Sequence, residues 1–144
     1  MEDKSLIYFI LDDINKFHKT LEEVFTVSSG VRHQSLLESA VSAPFQTWGG
    51  VELYPSVYEK AAQLCFALSK NHPFVDGNKR TAIHTMLVYL AVNYLEIRYS
   101  VDDMEEVILN LTTDVISPTE LAAWLEERAR KFNINFYKEE NLAN

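Results

Sequence analysis

The sequence predicts an all-α domain that carries one small β-hairpin. Three observations support this. Apolar residues recur at helical spacing along most of the 144 residues. Capping signatures mark three helix starts, at Ser56-x-x-Glu59, Ser100-x-x-Asp103 and Ser117-Pro118-Thr119-Glu120. Between Pro44 and Pro55 alone the pattern turns to short aromatic and β-branched runs around Gly49-Gly50, the signal of a two-residue hairpin turn.

In chain order, Leu6 to Phe9 reads as a short strand or extended lead-in, and Asp12 opens a helix whose apolar stripe is Ile14, Phe17, Leu21 and Val24. Gly30 precedes a helix with Leu36, Leu37, Ala40 and Val41 on one face. Phe45 to Trp48 and Val51 to Tyr54 form the hairpin, which in isolation is marginal in water and must lean on helices or lie over something. The helix from Ser56 presents Ala61, Leu64, Cys65 and Leu68, and stops at His72 because a residue before proline disfavours the α region. From Asn78 to about Asn93 apolar residues lie nearly all round, which predicts a central, buried helix. Pro118, at the first position after its cap, starts a helix to about Lys131 with Leu121, Trp124 and Leu125 facing in. The tail Phe132 to Asn144 has no clear period and is expected to fray or dock loosely.

Composition bounds the function. The length suits one domain with a proper core. A net charge of −8 leaves no large basic face for duplex nucleic acid. The single cysteine, Cys65, excludes an intrachain disulfide and suits a reducing compartment. Met1-Glu2-Asp3-Lys4 does not open a signal peptide, and the longest apolar run, Met86 to Val92, is far below a membrane span. The expectation is a cytoplasmic protein with neither nucleic acid nor membrane as partner.

The chemistry concentrates in His72-Pro73-Phe74-Val75-Asp76-Gly77-Asn78-Lys79-Arg80. Lys79 and Arg80 fall in the first turn of a helix, where the peptide dipoles already leave partial positive charge. Cations there make sense when an anion binds between them and the backbone N–H groups, which points to phosphate. Asn78 reads as the N-cap of that helix, with an amide also able to donate to phosphate oxygen. Gly77 permits close backbone approach or positive φ. Asp76 offers a hard oxygen for magnesium on a nucleotide. His72, beside the loop, suits a general base for an incoming hydroxyl. Phe74 and Val75 are expected to pin the loop into the core. Each residue alone has a bland reading: surface histidine, turn aspartate, turn glycine, cap. Together, in this order, they describe a site.

The run from His72 to Arg80 resembles the signature of Fic/Doc ("Fido") proteins, in particular the death-on-curing (Doc) branch. Gly30-Val-Arg-His-Gln-Ser-Leu-Leu-Glu-Ser-Ala40 is similar to that family's helix before its flap, and Gly49-Gly50 through Leu53-Tyr54-Pro55 to the flap. Ser69-Lys70-Asn71 precedes the motif as in Doc-like chains, so the resemblance covers about Ile7 to about Leu125. It implies a Fic-fold helical bundle with a β-hairpin flap, forming a single domain over 1–131 with 132–144 as a tail. It also implies ATP and Mg2+ as cofactors, with His72 as general base and Asp76 as metal ligand. Phe74, Gly77, Asn78, Lys79 and Arg80 would form the nucleotide site. The flap, Phe45 to Tyr54, would hold an extended segment of a protein substrate by strand addition.

Two departures from the AMP-transferring members bear on the reaction: Lys79 stands where they usually have glycine, and Ile83 where they have a second arginine. In Doc-like proteins this combination accompanies transfer of the terminal phosphate. The resemblance thus implies a toxin that phosphorylates a hydroxyl of a target such as a translation factor. An AMP transferase and a non-catalytic nucleotide-binding module are the alternatives. No Ser/Thr-x-x-x-Glu-Gly/Asn inhibitory helix occurs here, so a partner antitoxin is the implied restraint.

The remaining candidates carry less. His18, His33 and His84 lack metal-ligand spacing, and His84 is expected to be packed or exposed. Cys65 lies on an apolar stripe, which favours a buried, inert thiol over a pair with His72. Trp48 and Tyr54 either touch a ligand or pack down.

Overall fold

The computed structural model describes residues 4–24 and 30–132, which form six α-helices and two small two-stranded sheets. Helix α1 (Lys4–Val24) is continuous, so the strand expected at Leu6 to Phe9 is its first turns and the start expected at Asp12 lies inside it. Its buried residues, Ile10, Ile14, His18 and Leu21, make one stripe at helical spacing. Leu6 and Ile7 pack against the core on the same side, while Tyr8 and Phe9 face out. The stripe also corrects the expected one: Phe17 is half-buried, Val24 is exposed, and His18 takes a core position.

Helix α2 (Gln34–Ser42) buries Leu37, Ala40 and Val41 and runs into a 3-10 turn at Ala43–Phe45. The hairpin follows as β1 (Thr47–Trp48) and β2 (Val51–Glu52), with Thr47 opposite Glu52 and Trp48 opposite Val51. Gly49 and Gly50 have φ of 57° and 81°, the two left-handed residues that a twist-compatible two-residue turn requires. Pairing is shorter than expected because the 3-10 turn takes up Phe45; one further rung joins Leu53 N–H to the Gln46 carbonyl at 3.0 Å.

Helix α3 (Val57–Asn71) starts at Ser56, whose Oγ accepts from Glu59 N–H at 3.0 Å. It, rather than the following helix, is the central element, packing on α2, α4 (Asn78–Val92), α5 (Val101–Thr112) and α6 (Pro118–Arg128). Small residues explain this: Ala61, Ala62 and Ala67 let neighbours approach from several sides. Helix α4 is apolar nearly all round, yet Ala91 and Val92 are exposed. Both later capping signatures form; Ser100 Oγ accepts from Asp103 N–H at 3.1 Å, and Ser117 with Glu120 completes a reciprocal capping box.

The expected helix through Lys131 ends at Arg128, and Ala129–Lys131 form β4 antiparallel to β3 (Leu95–Ile97). Tyr94, at φ 62°, turns the chain out of α4, and Leu95 and Ile97 bury one face while Glu96 pairs with Arg130. Phe132 N–H continues the ladder to the Tyr94 carbonyl at 3.2 Å; the rest of the expected tail, 133–144, lies outside the described residues. No described helix is long and apolar enough to cross a membrane.

Candidate functional site

The segment 72–77 links the end of α3 to the start of α4 and is held from behind by two other parts of the chain. His72 ends α3 in the left-handed region, φ 46° and ψ 56°, a conformation that strains a non-glycine residue. The Pro73 carbonyl then accepts from Arg32 N–H at 2.7 Å and His33 N–H at 3.1 Å, and Phe74 bridges to Val31. Asn71 Nδ2 donates to the Leu36 carbonyl at 3.0 Å, tying the end of α3 to α2. Phe74 sinks into the core at 1% exposure and stacks on His18, ring centroids 3.9 Å apart. Val75, expected to help pin the loop, is instead exposed, since neighbours in an extended segment point to opposite sides.

On the outer side stand the groups with chemistry. His72, Asp76, Lys79 and Arg80 are all exposed. The His72 imidazole takes part in no hydrogen bond or ion pair among the described residues, which leaves it available to an incoming group. Asp76 Oδ1 accepts from Gly77 N–H at 2.8 Å, and among the described residues its other oxygen makes no hydrogen bond or ion pair.

The start of α4 differs from the expectation in one respect. The N-cap is Gly77, with φ 78°, and no side chain caps the helix. Asn78 is the first helical residue and turns its amide back onto Phe74. Its Oδ1 accepts from Phe74 N–H at 2.9 Å and its Nδ2 donates to the Phe74 carbonyl at 3.1 Å. A planar amide matches a main-chain donor–acceptor pair better than it matches one free amide. Asn78 therefore shapes the loop, while the first turn of α4 opens without a side-chain cap beside Lys79 and Arg80. That is a surface suited to an anion.

Phe74, expected in the nucleotide site, reaches the surface with almost none of its area and serves here as the anchor of the loop. Among the described residues no three His, Cys, Asp or Glu side chains cluster to hold a metal ion. An exposed aspartate beside an anion surface fits magnesium shared with phosphate oxygens, the usual arrangement for that ion.

Sequence reasoning gave no role to His18 and passed over Glu22, which support this loop, and Lys60, which supports the hairpin. His18 Nε2 donates to the Asp76 carbonyl at 2.7 Å, and its Nδ1 lies 3.1 Å from Glu22. Glu22 in turn accepts from Gly30 N–H at 2.8 Å. Lys60 is buried under the hairpin, bonded to the Tyr54 carbonyl and 3.2 Å from Glu52. The available signals were a histidine inside an apolar stripe and a lysine one turn into a helix beside aromatic strands. His84 stacks on Phe17 and pairs with Asp13 at 2.9 Å, so it joins α4 to α1. Burial pushes the Cys65 thiol up to about 12, which removes it from thiolate chemistry near neutral pH. Trp48 does not pack down; it is 81% exposed at the hairpin tip.

Residues 8–90 match the family model described as "Fic/DOC family", a span that contains the loop, the hairpin, α2, α3 and most of α1 and α4. A protein named "Toxin Doc" from Mycolicibacterium smegmatis is 39% identical over 85 residues, covering 58% of this chain. The match spans 65% of that relative's length.

Proposed function

The chain belongs to the Fic/DOC family, and from that premise we propose that it transfers a phosphate group from ATP to a hydroxyl side chain of a target protein. The observation that supports this most strongly is the uncapped start of α4 with Lys79 and Arg80 beside it, directly after the exposed loop that carries His72 and Asp76. Bound ATP would supply the transferable group, with magnesium offsetting charge on its phosphates. The donors of the first turn of α4, Lys79 and Arg80 hold phosphate oxygens through charge-assisted hydrogen bonds. Asp76 provides the protein oxygen for magnesium. A ring nitrogen of His72 takes the proton from the attacking hydroxyl, and Asn78 keeps the loop in the shape that brings these groups to one mouth.

Lys79 favours phosphate over AMP transfer, because its side chain fills space that glycine would leave for further phosphates. The hairpin offers short strands with exposed outer edges to an extended target segment. The relative's name, "Toxin Doc", supports a toxin; growth arrest in the cytoplasm, held in check by an antitoxin protein, completes the proposal.

The test is incubation of the purified chain with γ-labelled ATP, magnesium and a cell extract, followed by mass spectrometry of labelled proteins. A gain of one phosphate on a hydroxyl residue is the expected result; a gain of an AMP unit, or no modification, overturns the reading.

A further inference from the structure

The loop is exposed on its outer side, yet its central peptide is fastened from within by a residue of α1. His18 is 3% exposed, stacks on Phe74 within 9° of parallel, and bonds through Nε2 to the Asp76 carbonyl at 2.7 Å. A carbonyl only accepts, so Nε2 carries the proton. Glu22 holds the other edge of the ring and, through Gly30 N–H, the backbone segment that pairs with Phe74.

The peptide geometry gives this bond a consequence. A trans peptide is planar, with its C=O and N–H in opposite directions, and no peptide bond among the described residues is cis. With the Asp76 carbonyl drawn inward to His18, the N–H of Gly77 is obliged to face away from α1. There it meets the Asp76 carboxylate at 2.8 Å.

We propose that His18 is a positioning residue for the nucleotide site: by holding the Asp76 carbonyl, it aims the Gly77 amide at the bound phosphates. This rests on the phosphate-transfer reading above. The Asp76 carboxylate accepts from that amide here; with Asp76 serving magnesium instead, the amide would be left to a phosphate oxygen.

Two variants separate the hydrogen bond from the packing. His18→Phe keeps an aromatic ring against Phe74 and removes the donor; His18→Gln restores a donor without the ring. Three quantities are read: the Gly77 amide resonance and Phe74 amide exchange by NMR, the Kd for magnesium-ATP by calorimetry, and the melting temperature. In His18→Phe the Gly77 resonance is expected to move, Phe74 exchange to quicken about tenfold, and Kd to rise about tenfold. His18→Gln is expected to recover most of each. An unmoved Gly77 resonance with unchanged Kd in His18→Phe overturns the proposal. So does failure of His18→Gln to recover what His18→Phe loses. If the unaltered protein binds no magnesium-ATP, the phosphate-transfer reading falls, while the NMR comparison still decides whether His18 aims the amide. If His18→Phe does not fold, Glu22→Ala takes its place, releasing the far edge of the ring; an unmoved Gly77 resonance there refutes the positioning role.

Discussion

Asn78 grips Phe74 by both of its main-chain polar atoms, at 2.9 and 3.1 Å, across the turn that opens α4. Asn78→Asp retains the acceptor and sets a carboxylate oxygen against the Phe74 carbonyl. It is expected to cost about 1–3 kcal/mol of stability, as for a broken bond that leaves a repulsive partner. Urea unfolding of the two proteins measures this; equal midpoints would mean the grip contributes nothing to the loop.

His72 combines a strained backbone with the chemistry proposed for its ring. His72→Ala is expected to lower transfer at least about a hundredfold and leave the Kd for magnesium-ATP nearly unchanged. His72→Gly should be equally inactive, yet more stable than His72→Ala by about 1 kcal/mol, because only glycine adopts φ 46° without a Cβ clash. Single-turnover assays and thermal melts separate the two effects.

Lys79 sits at the positive end of the α4 dipole, where a cation is unfavourable until an anion arrives. Replacement by Ala is therefore expected to raise stability by a few tenths of a kcal/mol up to about 1 kcal/mol while weakening nucleotide binding. A variant that loses both stability and binding would show that Lys79 has a packing role instead.

Alkaline stability is expected to follow Cys65 and Tyr89, both raised to about 12 by burial, from 9.0 and 10.0 respectively. A group whose folded pKa exceeds its unfolded one contributes fully below the unfolded value and loses that contribution as pH climbs toward the folded value. Stability should thus decline from about pH 9, by up to about 1.4 kcal/mol per pH unit for each such group. Cys65→Ala should flatten the decline between pH 9 and 10, before Tyr89 contributes. Urea midpoints across that range test it, and native Cys65 should resist iodoacetamide at pH 8.

Lys60 joins α3 to the hairpin through the Tyr54 carbonyl and Glu52. Lys60→Met, which fills similar space, is expected to leave magnesium-ATP affinity intact and to raise KM for the protein target as the hairpin loses its anchor. A nucleotide defect instead would place the anchor's effect at the loop.

Much of this architecture was readable because local chemistry decides it. Ser56, Ser100 and Ser117 cap the helices they announced, and Gly49-Gly50 makes its turn from residues free to take positive φ. That His72, Asp76, Lys79 and Arg80 share one exposed stretch from the end of α3 to the start of α4 was readable too, since local signals set those helix ends. What stayed hidden depends on distant partners. Leu6 to Phe9 fits a strand or a buried helix turn equally well until α4 and α2 are seen beside it. The three-residue strands β3 and β4 exist only as a pair, with Glu96 opposite Arg130 across 34 positions. His18 looks like any core histidine until Asp76, 58 residues on, supplies its acceptor. Apolar residues all round α4 measured its greasiness; the number of neighbours went to α3, whose alanines look unremarkable in a list.

The union of β3 with β4 cinches both ends of the excursion that contains α5 and α6. A protease cutting at the exposed bend of Thr113 to Val115 would therefore sever the backbone without parting the pieces, because α6 remains seated on α3 and its trailing strand stays zipped to the far side of the cut.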